Sequence, residues 1–125
     1  MTGALAKSST RDIGSVGEAV AVKYLQTGGY TILATNWTCR YGELDIITKD
    51  GTCLVFVEVK YVQDDSFCDA VDLFSQRKKR NLIRTIQRFL LEKRANGVMW
   101  RLDLICVTKD EGKIWIEQYK NVLAF

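Results

Sequence analysis

Two apolar runs joined by a short polar turn constrain the fold of this chain most strongly. Residues 42–60 read GELDIITKDGTCLVFVEVK, and apolar runs on both sides of a Lys-Asp-Gly-Thr turn predict a β-hairpin. Four charged residues nevertheless interrupt the two strands: Glu43, Asp45, Glu58 and Lys60. Because charges are costly to bury unless they are paired or bind a metal, these four positions require an explanation.

The register of the hairpin predicts how these charges are arranged. With a short loop centred on the Asp-Gly of the turn, we expect Glu43 to lie opposite Glu58. Asp45 then lies opposite Phe56. Residues that are directly paired share a face of the sheet, and so do positions i and i+2. All four charged side chains, including Lys60, are therefore expected on one face at one end of the hairpin.

Carboxylates that converge repel each other unless a cation or a proton lies between them. Mg²⁺ and Mn²⁺ prefer carboxylate oxygens and retained water, so we predict that Asp45, Glu58 and Glu43 bind one of these ions. Lys60 could hold an attacking water or neutralise charge that grows on a phosphate while the metal polarises the phosphoryl oxygen. The alternative is an exposed polar strand end with a Glu58–Lys60 ion pair.

The composition excludes several other kinds of site. The 125 residues include no histidine, which removes Ser-His, Cys-His and His-metal sites. The chain contains neither GxxxxGK[ST] nor GxGxxG, and its four cysteines form no CxxC pair, so nucleotide-cradling loops and zinc ribbons have no support. Acid-base or metal chemistry would have to use carboxylates and lysine.

The charge is unevenly distributed along the chain. Residues 75–94 contain eight basic residues and one acidic residue, whereas the rest of the chain contains ten basic and fourteen acidic residues. A basic helix of this kind can bind phosphates, and we expect Arg80, Arg84 and Arg88 to do so. An ordinary solvated helix shows the same pattern.

Hydrophobic periodicity predicts the element order α-β-β-β-α-β-β. We expect helices at residues 12–27 and 75–94, and strands at residues 30–38, on both sides of the turn in 42–60, at 99–108 and at 113–119. The length fits one α/β domain over residues 1–125. No apolar run approaches the roughly 18 residues of a membrane span. The first residues also lack the apolar segment of a secretory signal, so we expect a cytoplasmic protein.

Glu18 in the first predicted helix is a further candidate site residue. It lies on the same helical stripe as Val22 and Leu25, which directs it toward the sheet. Ser15 and Glu18 also match the capping box S-x-x-E at a helix start. The spacing alone leaves both interpretations open.

Five segments together resemble the YraN-like family of uncharacterised bacterial proteins: GSVGEAVAVKYLQTGGYTILATNW, RYGELDIIT, VFVEVKY, RKKRNLIRTIQRFL and RLDLICV. That family resembles archaeal Holliday-junction resolvases of the PD-(D/E)xK nuclease superfamily. The resemblance implies a restriction-endonuclease-like αβββαβ core with a mixed sheet flanked by helices.

The resemblance also implies roles for individual residues. Asp45 matches the motif aspartate, Glu58 and Lys60 match the E-x-K pair, and Glu18 matches the acid of the first helix. Lys78 matches a recurrent lysine of the second helix that can contact a phosphate. Asp103 matches an aspartate of a late strand; the sequence does not decide whether it faces the site or pairs with Arg101 or another cation.

The function implied by this resemblance is that of an Mg²⁺- or Mn²⁺-dependent DNA endonuclease acting on branched or damaged DNA. A homodimer is expected by analogy with the resolvases, because a symmetric junction requires two sites. One alternative is a noncatalytic nucleic-acid-binding protein that keeps the nuclease fold. Another is an interaction module whose basic helix docks on an acidic protein.

Overall fold

A computed structural model of the chain describes residues 10–63 and 76–124, and shows an α/β fold with two long helices and one mixed sheet. The element order confirms the prediction. The elements are α1 (Thr10–Thr27), β1 (Thr31–Cys39), β2 (Gly42–Asp50), β3 (Cys53–Gln63), α2 (Gln76–Glu92), β4 (Trp100–Asp110), β5 (Lys113–Tyr119) and a 3₁₀ turn (Val122–Ala124).

The five strands are arranged in chain order, β1-β2-β3-β4-β5. β3 and β4 are parallel, whereas the other neighbouring pairs are antiparallel. Parallel neighbours need a crossover connection, and α2 lies in the connection between β3 and β4. The charged end of β3 therefore leads toward the basic helix.

Helix α1 packs on one face of the sheet through a stripe of small and apolar residues. Gly17 is buried, and Ala21 and Leu25 have no exposed surface. These positions are four residues apart, so they lie on one side of the helix. The sheet residues buried in the same core cluster are Ile46, Val55, Val57, Ile105 and Val107.

Helix α2 packs on the opposite face through Leu82, Ile86, Phe89 and Leu90. Phe89 makes edge-to-face ring contacts with Trp37 and Phe56, with centroid distances of 5.3 and 5.6 Å. Such pairs contribute about 0.5–1.5 kcal/mol beyond the area they bury. The apolar stripe predicted for this helix is thus the surface that fixes it on the sheet.

The predicted hairpin register was wrong by two residues. Asp50 pairs with Cys53, so the loop consists of Gly51 and Thr52, and Gly51 takes a positive φ of 62°. Such a conformation favours glycine. The turn begins one residue later than predicted, which moves each partner by two positions. A shift of two keeps the alternation of faces in the paired part of the hairpin, from Ile46 to Asp50 and from Cys53 to Val57.

The capping-box interpretation of Ser15 and Glu18 was also wrong. Helix α1 begins at Thr10, so both residues lie inside the helix, where the backbone N–H groups are already paired within it. Over the residues that the structure describes, no helix has the length and apolarity required to cross a membrane.

Candidate active site

Strand β2 separates from β3 at Asp45. Backbone pairing between these strands extends as far as Ile46 and Val57. At the next position, Asp45 Oδ2 accepts a hydrogen bond from the Val59 N–H at 2.8 Å. Leu44 and Ile46, two residues apart, pack in opposite core clusters, so the usual alternation of a strand is interrupted at Asp45. The interruption gives its carboxyl group a position inside the fork between two strands.

Asp45 and Glu58 form a carboxyl pair in this fork. Burial and the neighbouring Glu58 carboxylate raise the pKa of Asp45 to about 8, and a hydrogen bond between the two side chains acts in the same direction. A hydrogen bond that raises an acid's pKa is one that its neutral form donates. The raised pKa therefore favours a protonated form of the pair, with one proton shared between Asp45 and Glu58.

Lys78 of α2 supplies the positive charge next to this pair. Its Nζ lies 3.1 Å from Glu58 Oε2, and the Glu58 side chain is mostly buried. Lys78 also acts on Asp45, because its charge lowers the pKa of that residue, although less than burial raises it. The lysine expected to contact a phosphate thus lies within the site as the counter-ion of Glu58.

Glu18 reaches the same region from α1 on the other side of the sheet. Gly17 makes this possible, because a Cβ on residue 17 would lie 2.7 Å from Tyr61 Cβ of β3. Burial is the main cause that raises the pKa of Glu18, followed by the charge of Asp45, and Glu43 adds a smaller effect. A hydrogen bond from the Asn36 side chain partly offsets these effects.

Glu43 and Lys60 are more open to solvent than the central pair. Both are exposed. Glu43 lines a cavity of about 330 Å³ together with Glu58 and Lys78. Lys60 lies two residues after Glu58 in β3 and pairs with Cys106, a residue of the core cluster beneath α2, so it is on the face of the sheet predicted for it.

Two arrangements of carboxylates can be compared with what Mg²⁺ or Mn²⁺ requires: three carboxylates around one ion, or two. Within the described part of the chain, no three His, Cys, Asp or Glu side chains stand close enough to hold one ion. Asp45 and Glu58 do adjoin each other, and Mg²⁺ is commonly held by one or two carboxylates, with water and substrate phosphates completing its shell. The residues therefore fit a two-carboxylate site, and the predicted third ligand, Glu43, does not complete a three-carboxylate group among the described residues.

The basic residues of α2 lie along the rim of the site to different degrees. Arg77 and Lys78 line the 330 Å³ cavity with the carboxylates. Arg84 and Arg88 line a neighbouring cavity of about 500 Å³. Arg80 is exposed and lies outside both cavities. Of the predicted phosphate contacts, Arg84 and Arg88 thus line a cavity that adjoins the carboxylate cavity at Tyr41.

Asp103 is a buried partner of Arg101. Its carboxylate has no exposed surface and accepts hydrogen bonds from Arg101 Nε at 3.0 Å, Gln118 Nε2 at 2.9 Å and the Asn121 N–H at 2.9 Å. The same carboxylate raises the pKa of Arg101. Of the two interpretations left open by the sequence, the cation pair is the one that the structure shows.

Two residues near the site were not identified from the sequence. Asn36 takes a positive φ of 54° inside β1 and contacts Glu18; asparagine tolerates that conformation better than most residues, and an asparagine inside an apolar strand was the available signal. Tyr41 lines both cavities of the α2 face. Its position beside Arg40, just before the charged strand, was the corresponding signal.

The fold and this site together define a class: an α/β protein with a mixed five-stranded sheet and a carboxylate site at the fork of two strands. The model of the Uncharacterised protein family UPF0102 matches residues 17–107. The chain belongs to this family, which is the YraN family. The matched region includes Glu18, Asp45, Glu58, Lys60 and all the basic residues of α2.

Relatives from several bacteria match most of the chain. A UPF0102 protein of Neisseria gonorrhoeae is 38% identical over 83% of this chain and 90% of its own length. One from Carboxydothermus hydrogenoformans is 34% identical over 92% of this chain and 98% of its own length. A third, from Mycolicibacterium vanbaalenii, is 40% identical over 79% of this chain and 82% of its own length.

Proposed function

We propose that this protein is a metal-dependent DNA endonuclease built on a restriction-endonuclease-like αβββαβ core, with β5 as an added strand. The observation that carries the proposal is the Asp45–Glu58 carboxyl pair in the strand fork, where burial and mutual repulsion raise the pKa of Asp45 to about 8. Strongly perturbed carboxylates in a cleft are typical of functional sites. Lys60 and the basic helix supply the cations that a phosphodiester substrate needs.

The residues have distinct roles in this proposal. Mg²⁺ or Mn²⁺ bound by Asp45 and Glu58 would polarise a phosphoryl oxygen and lower the pKa of water. Lys60 is exposed beside Glu58, so its ammonium group is available to orient a water or to balance charge on the phosphate. Glu18 has a raised pKa, which makes it a better proton acceptor than an ordinary glutamate.

The proposed substrate is branched or damaged DNA, held by Arg80, Arg84 and Arg88 at its phosphates. Arginines of this kind fix the position of a nucleic acid without reading its sequence. A homodimer would bring two such sites to a symmetric junction.

One observation favours a noncatalytic nucleic-acid-binding protein as the second candidate. Lys78 already pairs with Glu58 at 3.1 Å, and the raised pKa of Asp45 favours its protonated form. Lys78 and a bound proton therefore balance the negative charge of the carboxyl pair without a metal ion. A protein that had lost its metal but kept its basic helix would show the same balance.

Cleavage of labelled DNA tests the proposal. The substrates are linear duplex, flapped, single-stranded and four-way DNA of shared sequence, each incubated with Mg²⁺, Mn²⁺ or a chelator. We expect cleavage with a divalent ion only, and loss of cleavage in Asp45→Asn and Lys60→Ala. Asp50→Asn and Lys49→Ala are matched controls, because both residues are exposed at the far end of β2. Binding without cleavage of any substrate would favour the noncatalytic candidate.

A further inference from the structure

Tyr41 joins the two cavities on the α2 face. It lies in the turn between β1 and β2, and 40% of its surface is exposed. On one side it lines the 330 Å³ cavity that contains Glu58 and Lys78. On the other side it lines the 500 Å³ cavity that contains Arg84 and Arg88. A strand that occupied both cavities would have to pass over this ring.

The turn that carries Tyr41 is held close to α2. Gly42 has a positive φ of 151°, and a Cβ on that residue would lie 3.3 Å from the Thr85 hydroxyl. A larger residue at position 42 would therefore be strained and would push the turn away from the helix. The Arg40 guanidinium lies 5.4 Å from the centroid of the Tyr41 ring, within the range of a cation–π contact. The turn is thus held beside α2, with the Arg40 guanidinium over the Tyr41 ring.

We propose that Tyr41 is a stacking platform for an unpaired base, so that the site takes a nucleic-acid strand that is single-stranded beside the carboxylates. This inference rests on the proposed function and deepens it. Aromatic rings between cations that track a phosphate backbone are how proteins bind single strands, because every base has a face that can stack. In a duplex the bases are already stacked and paired, so none is free to lie on this ring.

The spacing of the cations on α2 agrees with such a strand. Arg77, Arg84 and Arg88 line the two cavities. From residue 77 to residue 88 the helix rises by eleven steps of about 1.5 Å, or about 16 Å. At about 3.4 Å per phosphate of a stacked strand, this length corresponds to roughly five nucleotides. Arg88 also pairs with Glu92 at 2.8 Å, but an exposed helical pair contributes only about 0.3–0.5 kcal/mol. A phosphate can therefore compete with Glu92 for Arg88.

The test measures binding in a chelator, so that no cleavage intervenes. The probes are a fluorescent single-stranded ten-nucleotide DNA and a blunt hairpin duplex of the same sequence. Tyr41→Ala should weaken binding of the single strand by about 5- to 150-fold, the loss of 1–3 kcal/mol expected per stacked base. Binding of the duplex should change by less than twofold. Tyr41→Trp should retain single-strand affinity because indole also stacks.

Two controls separate stacking from other effects. Tyr24→Ala removes another tyrosine of similar exposure, 38%, on α1, and it should leave both affinities unchanged. Tyr41→Ala should also leave the salt dependence of binding unchanged, because it removes no charge, whereas Arg84→Ala should lower the slope by about 0.7 on a single strand. Equal binding of the single strand by Tyr41→Ala and the parent would overturn the proposal, and so would equal losses on both probes.

The outcomes for this inference and for the proposed nuclease activity are distinct. Cleavage by the parent together with unaltered single-strand binding by Tyr41→Ala would refute the stacking role and leave the nuclease standing. Selective loss of single-strand binding in Tyr41→Ala, with no cleavage by the parent under any condition, would refute the nuclease and support the stacking role.

Discussion

Replacing Asp45 by asparagine should abolish a large part of the pH dependence of stability. Burial and the Glu58 carboxylate raise the pKa of Asp45 from 3.8 to about 8 in the folded protein. The folded state therefore binds this proton more tightly than the unfolded state does. The contribution of Asp45 to stability is fully present below about pH 4 and is lost as the pH rises through about 8.

The magnitude follows from the two pKa values. Between them, one proton changes the free energy of unfolding by about 1.4 kcal/mol per pH unit. At pH 7, about three units above the ordinary pKa of Asp45, the accumulated cost is roughly 4 kcal/mol. Because Asp45 and Glu58 share the proton, this value is a ceiling that belongs to the pair. It is a large fraction of the 5–15 kcal/mol that stabilises a typical domain.

Asparagine at position 45 can replace both hydrogen bonds of the protonated aspartic acid. Its amide oxygen can accept from the Val59 N–H, as Asp45 Oδ2 does, and its NH₂ group can donate to Glu58. The variant should match the parent near pH 4 and become more stable by a few kcal/mol at pH 7 to 8. Glu18, whose pKa is also raised, should leave some pH dependence in both proteins.

The assay is urea unfolding followed by tryptophan fluorescence from pH 4 to 8 in a chelator, with the difference between parent and variant as the result. Glu111→Gln is the control, because Glu111 is exposed in the turn between β4 and β5. Parallel pH curves for parent and Asp45→Asn, or a variant that is less stable at pH 7, would refute the raised pKa and the carboxyl pair that causes it.

Three further predictions concern residues outside the carboxyl pair. Asp103→Ala leaves the Arg101 charge without its buried partner and should cost about 3–5 kcal/mol in urea unfolding, whereas Glu92→Ala should cost under about 0.5 kcal/mol. Gly17→Ala should reduce stability by about 1–3 kcal/mol through the clash with Tyr61, even though alanine favours the helix by about 1 kcal/mol; unchanged stability would contradict the close approach. Replacing Arg80, Arg84 and Arg88 by alanine should lower the slope of log K for DNA binding against log salt concentration by about 2 to 3. An unchanged slope would mean that the helix is an ordinary solvated surface.

The order of elements could be predicted because each element carries a local signal. The apolar stripe of α2 and the alternation in β5 depend on residues close in sequence. The hairpin register depends on which residue starts the turn. A two-residue loop with Gly51 in its first position and one with Gly51 in its second position both fit the same apolar pattern. An error of that kind shifts partners by two positions and preserves the faces. For this reason the faces of paired residues such as Ile47 and Phe56 are unaffected by the wrong pairing. The interruption of the alternation at Asp45 lies outside this rule.

The contacts that define the site could not be predicted in the same way. The sequence places Glu18 on an inward stripe, but its approach to Asp45 depends on the absence of a side chain at Gly17, which lets α1 contact β3. The pairing of Lys78 with Glu58 depends on where the crossover sets α2 on the sheet. Asn36 and Tyr41 reach the site only because β1 lies beside β2. These contacts join residues that are far apart in the sequence, so no local sequence pattern predicts them.

Two aspartates on the inner strands show why the charges of the opening hairpin differ from ordinary buried charges. Asp103 is surrounded by fixed donors from Arg101, Gln118 and the backbone of Asn121, so its charge is satisfied by the protein alone. Asp45 instead adjoins another acid, and burial beside that acid raises its pKa. An acid pair of this kind reduces the stability of the fold near neutral pH, and apolar residues of similar volume would remove that cost. The pair also adjoins a cavity lined by Lys78 and Arg77, which leaves room for a ligand on its open side. The acid pair, rather than the satisfied Asp103, is thus the arrangement that a bound cation would stabilise, and this difference is the physical basis for assigning chemistry to one aspartate and structure to the other.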